Sequence, residues 1–71
     1  MAKTELRSAR ELSGLTQDQM AEVLECTVPT LAKIEANPEK ATLRQFARWY
    51  RACNGTGKVL LEKYLDDLLV G

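Results

Sequence analysis

Apolar side chains recur every three or four residues along nearly the whole chain. Polar, glycine and proline interruptions cut that rhythm into five helical segments. Thr4 can cap the first, which runs to about Ser13 with Leu6, Ala9 and Leu12 (or its neighbour) on one face. Gly14 ends it, and residues 1–3 read as a loose arm. The second starts at Thr16, where Thr16 and Gln19 have the T-x-x-Q spacing of a capping box. Met20, Ala21 and Leu24 then share a face. The third starts after Thr27, another good N-cap. Pro29 lies in its first turn, where a missing N–H costs nothing, and Leu31 and Ile34 point inward. Asn37-Pro38 breaks it, because the residue before proline avoids helical conformation. Pro38 to Ala41 reads as a loop.

Thr42 caps a fourth helix from Leu43 to about Cys53. Leu43, Phe46, Ala47 and Tyr50 fit positions i, i+3, i+4 and i+7 and are expected to face the core. Arg44, Arg48 and Arg51 form a second stripe, with Trp49 beside the first. Asn54-Gly55 is a strong stop, and a fifth helix begins near Thr56. Its apolar arc of Val59, Leu60, Leu61, Tyr64, Leu65, Leu68 and Leu69 is wider than packing within one small domain requires. The pattern predicts an all-α fold of five helices in one domain, 1–71.

Between the second and third helices only Glu25 and Cys26 are left for a turn. Two helices joined so closely must cross steeply and bury a shared seam, and Ala21 is small enough to let them approach. The stretch LTQDQMAEVL-ECT-VPTLAKIE resembles the lambda-repressor-like helix-turn-helix of the Cro and Xre type. It matches that family's pattern at Leu15, Thr16, Gln17, Ala21, Leu24, Thr27, Leu31, Ile34 and Glu35. The core motif spans 16–36 and the likeness extends over roughly residues 5 to 55. Two positions depart from the pattern. Glu25 stands where glycine is usual, and a left-handed glutamate costs about 1 kcal/mol. Asn37 replaces a helix-ending glycine. The resemblance also implies a structural salt bridge between Arg10, which lies near the inner stripe of the first helix, and Glu35.

Composition narrows the function. The chain has 71 residues with ten basic and ten acidic side chains, which argues against a non-specific polybasic binder but not against a specific one. So small a core makes dimerisation a reasonable expectation. Cys26 and Cys53 have no histidine companions and no metal or redox spacing, so no metal and no cofactor is expected. Free thiols, the lack of a signal peptide and the lack of a membrane-length apolar run suggest a soluble cytoplasmic protein. Enzymatic chemistry is poorly supported: the sequence has no histidine, no cysteine paired with a base and no phosphate loop.

The resemblance implies that the third helix enters the major groove of double-stranded DNA. Its outward residues are expected to be Val28, Pro29, Ala32 and Lys33. The apolar ones could pack against thymine methyls, and Lys33 could reach guanine or a phosphate. Thr27 and Thr30 hydroxyls are candidates for phosphates, as are Gln17 at a helix start and Lys40 and Arg44 near the next. Few direct base bonds and some dependence on DNA shape follow. The implied function is a dimeric repressor on a palindromic operator, of phage, mobile-element or autoregulated operon type. The dimer contact is expected at Leu61, Tyr64, Leu65 and Leu68. The competing reading is a protein-interaction module, an antirepressor or antitoxin whose partner is a repressor or toxin. The neutral charge and the apolar outward face of the third helix favour it.

Overall fold

In the computed structural model, which describes residues 4–70, the chain forms five α-helices and, among the described residues, no strand. They are α1 (Glu5–Leu12), α2 (Gln17–Leu24), α3 (Val28–Ala36), α4 (Leu43–Ala52) and α5 (Gly55–Val70), with a 3-10 turn at Pro38–Lys40 in place of the expected loop. The arm expected at residues 1–3 lies outside the described residues. The fold is all-α, as the apolar rhythm predicts.

Each helix start is built from local hydrogen bonds. The hydroxyls of Thr4, Thr16, Thr27 and Thr42 accept from the backbone N–H three residues on. At Thr16 and Thr42 the bond is returned, because Gln19 and Gln45 accept from the cap residue's own N–H at 2.9 Å. Two donors that a helix start would leave unpaired are thus satisfied at each.

The first two helices end in the same way. Leu15 N–H reaches Arg10 O at 3.1 Å and Gly14 N–H reaches Glu11 O at 3.0 Å, with Gly14 at φ 72°. Cys26 N–H reaches Ala21 O at 3.0 Å and Glu25 N–H reaches Glu22 O at 3.1 Å, with Glu25 at φ 57°. Both are left-handed caps whose bonds close the last turn. α3 ends differently. Asn37 has φ −134° and ψ 84°, so it is not the left-handed cap that its place in the family pattern suggests. Pro38 forces the residue before it out of the helical region, and that constraint sets the turn.

α1 packs along α5, and α2 packs on both α3 and α4. Leu6, Ala9, Met20, Ala21, Leu24, Leu31, Ile34, Trp49, Cys53 and Leu61 form the buried core. Trp49 is 1% exposed, and its indole N–H donates to Leu6 O at 3.1 Å. This centre corrects the expected face of α4. Leu43 is 84% exposed and Ala47 is exposed, whereas Phe46, Trp49, Tyr50 and Cys53 turn inward. Both quartets have helical spacing. The inward one buries the largest side chain and satisfies its only polar atom. Leu12 is also out of the core, 51% exposed at the end of α1.

The α1–α5 contact depends on a small residue. A Cβ on Gly57 would lie 2.9 Å from Ala9 O and 2.7 Å from Ser13 Oγ, so only glycine permits this approach. Asn54 fastens the same corner. Its Oδ1 accepts from Gly57 N–H at 2.9 Å, its Nδ2 donates to Leu12 O at 2.9 Å, and its N–H donates to Ser13 Oγ at 3.0 Å. Burial raises the pKa of the Cys53 thiol beside it, with Ser13 and Lys58 partly opposing.

Candidate nucleic-acid interface

α3 buries Leu31, Ile34 and Glu35 and leaves Pro29, Thr30, Ala32, Lys33 and Ala36 exposed. Val28, expected to point outward, is half-buried and packs against the core. It shares the stripe of Leu31 and Glu35 at i+3 and i+7, so the first helical position faces inward with them. Pro29, Ala32 and Ala36 each follow a member of that stripe by one residue, so they form an exposed stripe about 100° round the helix from it.

The inner side of α3 is fixed by charge as well as packing. Arg10 Nε lies 2.5 Å from Glu35 Oε2, with the two side chains 8% and 5% exposed. Glu35 Oε1 accepts from Gln17 Nε2 at 3.0 Å, and Arg10 also donates to Leu15 O at 2.8 Å. Thr4 Oγ1 donates to the backbone carbonyl of Glu35. α1, α2 and α3 are therefore tied through one carboxylate. Among the described residues, no buried side-chain nitrogen or oxygen lacks a partner. A buried pair of this kind tolerates the loss of both partners far better than the loss of one.

The polar residues expected at DNA are distributed as follows. Gln17 opens α2 and is half-buried, and one of its two amide hydrogens is engaged by Glu35. It lines a shallow groove with Arg7, Thr16, Asp18 and Val28. Arg7 did not stand out in the sequence, because its place beside α2 depends on how α1 packs. Asp18 in the same groove disfavours an anion there. Thr27 and Thr30 are exposed, with their hydroxyls 3.0 Å apart. Lys40 sits in the 3-10 turn, which packs on α3, and Arg44 sits in the first turn of α4. Among the described residues, Lys33, Lys40 and Arg44 are exposed and in no ion pair, whereas Arg48 is bound to Glu25 at 3.0 Å.

A model of the helix-turn-helix domain family matches residues 4–59. The chain belongs to this family. No curated protein and no solved structure matches it. The match runs from the cap of α1 into α5, so it takes in all of α1 to α4 as well as the two-helix motif. A helix-turn-helix domain offers DNA the start of its second motif helix, which here is α3.

The residues expected to join two copies do not form one surface. Leu61 is fully buried against the core, so it is not available to a partner. Its neighbours α1 and α4 claim it first, since α5 must seat one side on them. Leu65 and Leu68 are exposed at 39% and 60%, and Tyr64 is half-buried with its ring 6.2 Å from that of Phe46. With Leu43 they line an open groove of about 520 Å³ between α5 and the segment from Pro38 to Phe46. Leu43 was missed as a member of this surface because its spacing assigned it to the core. Burial, then Glu5 and Glu39, push the Tyr64 phenol pKa upward.

Among the described residues, no helix is long and apolar enough to cross a membrane, and no cluster of three metal-binding side chains occurs.

Proposed function

We propose that this helix-turn-helix domain is a sequence-specific regulator of transcription. It acts in the cytoplasm as a dimeric repressor on a palindromic operator in double-stranded DNA. The observation that carries the reading is the free side of α3. Pro29, Thr30, Ala32 and Lys33 are exposed at the start of the second motif helix, while Glu35 anchors its other side. That is the arrangement a helix needs to enter a major groove.

In this reading Lys33 reaches a guanine edge or a phosphate, and Thr27, Thr30, Lys40 and Arg44 meet the backbone. Gln17 uses its second amide hydrogen on a phosphate at the start of α2, where the free helix N–H groups favour an anion against the opposing charge of Asp18. Val28 supports α3 from below and touches no base. The dimer forms through Leu65, Leu68 and Leu43, with Tyr64 at the floor of the contact. Half-sites lie about one helical turn apart. The operator in this reading is of phage, mobile-element or autoregulated operon type. The reading needs no cofactor and no catalytic residue.

The test is a titration of the protein against the DNA upstream of its own gene across a salt series. A dimer neutralising about six to eight phosphates loses affinity steeply as salt rises. Lys33→Ala weakens specific binding by about 1–3 kcal/mol. No specific complex at low salt would overturn the reading. It would favour the second one, in which the exposed groove of Leu43, Leu65 and Leu68 receives a protein partner, a toxin or another repressor, and the domain works as an antitoxin or antirepressor.

A further inference from the structure

Resting on the DNA-binding reading, we infer that base preference is carried by the C5 methyl group of pyrimidines facing α3, so that the domain responds to cytosine methylation in its site. Three observations lead there. First, Pro29, Ala32 and Ala36 are exposed at i, i+3 and i+7, a stripe of small apolar groups along the free side of the helix. Second, the Thr30 hydroxyl accepts from Thr27 Oγ1 at 3.0 Å inside the cap that starts α3, which leaves it a single O–H donor that serves a phosphate or any base and does not discriminate. Third, Glu35 is buried and both its carboxylate oxygens are occupied, by Arg10 and by Gln17. Lys33 is then the one long polar side chain left on the exposed side of α3.

Direct discrimination between base pairs in the major groove rests on two kinds of contact. Paired hydrogen bonds need a forked side chain such as arginine, asparagine or glutamine, and the exposed side of α3 has none. Lysine is a point charge that donates to a guanine edge or a phosphate with little geometric demand. The remaining contact is apolar, between a small side chain and the methyl at C5 of thymine. 5-Methylcytosine carries the same methyl at the same place, although its exocyclic group differs from that of thymine. A surface of proline and alanine carbons cannot tell those exocyclic groups apart by hydrogen bonding. It therefore groups thymine with 5-methylcytosine, and uracil with cytosine.

The experiment starts from a duplex recovered by the full chain from a pool of randomised 20-base-pair duplexes. Affinity is read by fluorescence anisotropy at fixed salt. Each thymine of the recovered duplex is replaced in turn by uracil, by cytosine and by 5-methylcytosine, with the opposite base matched. Burying one methyl is worth about fourfold in affinity, or about fifteenfold when both half-sites change together. The expected result is a loss of that size for uracil at one or two positions per half-site, and tighter binding of 5-methylcytosine than cytosine there. In Ala32→Ser the preference for thymine over uracil shrinks at one such position while the melting temperature stays close to that of the parent. Equal affinity for thymine and uracil duplexes at every position would overturn the inference and leave DNA binding intact. Recovery of no specific duplex would overturn the DNA-binding reading itself.

Discussion

The side-chain amide of Gln17 donates to Glu35 Oε1 at 3.0 Å while Arg10 Nε holds Oε2 of the same carboxylate. One buried acid thus sets the position of both motif helices against α1. Removing a single partner strands a buried charge. Arg10→Met is expected to cost about 3–5 kcal/mol, and the double variant Arg10→Met with Glu35→Leu to recover most of that loss. Urea unfolding of the two variants and the parent measures both. An unchanged or raised melting temperature for Arg10→Met would show that the pair is dispensable.

Glu25 closes α2 at φ 57°, a conformation that glycine adopts without the cost of a Cβ. Its carboxylate meets Arg48 at 3.0 Å, but the two side chains are 75% and 37% exposed, so the contact contributes little. Relief of about 1 kcal/mol of strain therefore wins, and Glu25→Gly raises the melting temperature by several degrees. A fall in calorimetry would show that the ion pair outweighs the strain.

Gly55 and Gly57 lie two residues apart in α5, yet alanine should act on them with opposite sign. Nothing stands within 4 Å of a Cβ built on Gly55, whereas one on Gly57 meets the Ala9 carbonyl at 2.9 Å. Gly55→Ala gains up to about 1 kcal/mol from helix propensity. Gly57→Ala must push α1 and α5 apart and loses about 1–3 kcal/mol. Thermal unfolding of the two variants under one condition gives the comparison. Equal shifts of the same sign would show that the two helices approach less closely.

Leu65 and Leu68 are exposed on α5, while Leu61 on the same helix is buried. Changing both Leu65 and Leu68 to lysine should yield a folded monomer. Leu61→Ala should instead lose about 2–5 kcal/mol of stability, whatever the oligomeric state. Sedimentation velocity combined with circular dichroism separates the two effects. A parent protein that sediments as a monomer at high concentration would remove the dimer from the proposed function.

The sequence by itself determined the helix starts and most of the helix ends. Thr16 with Gln19, Thr42, Pro29, Gly14 and the Asn37-Pro38 break act on backbone groups three or four residues away, so their effect is written into adjacent positions. The family pattern from Leu15 to Glu35 was legible for the same reason, since a tight turn between two capped helices allows few arrangements. Tertiary structure alone decided which of two equally spaced stripes on α4 turned inward, and Trp49 displaced Leu43 because only one of them finds a deep site and a carbonyl at Leu6. It likewise drew Val28 beneath α3, tied Gln17 to Glu35 and buried Leu61. Those outcomes depend on which surfaces meet across 18 to 43 residues of chain, as in the Gln17–Glu35 and Trp49–Leu6 hydrogen bonds. Helical spacing says which side chains share a face, but the neighbour that covers the face is set by packing.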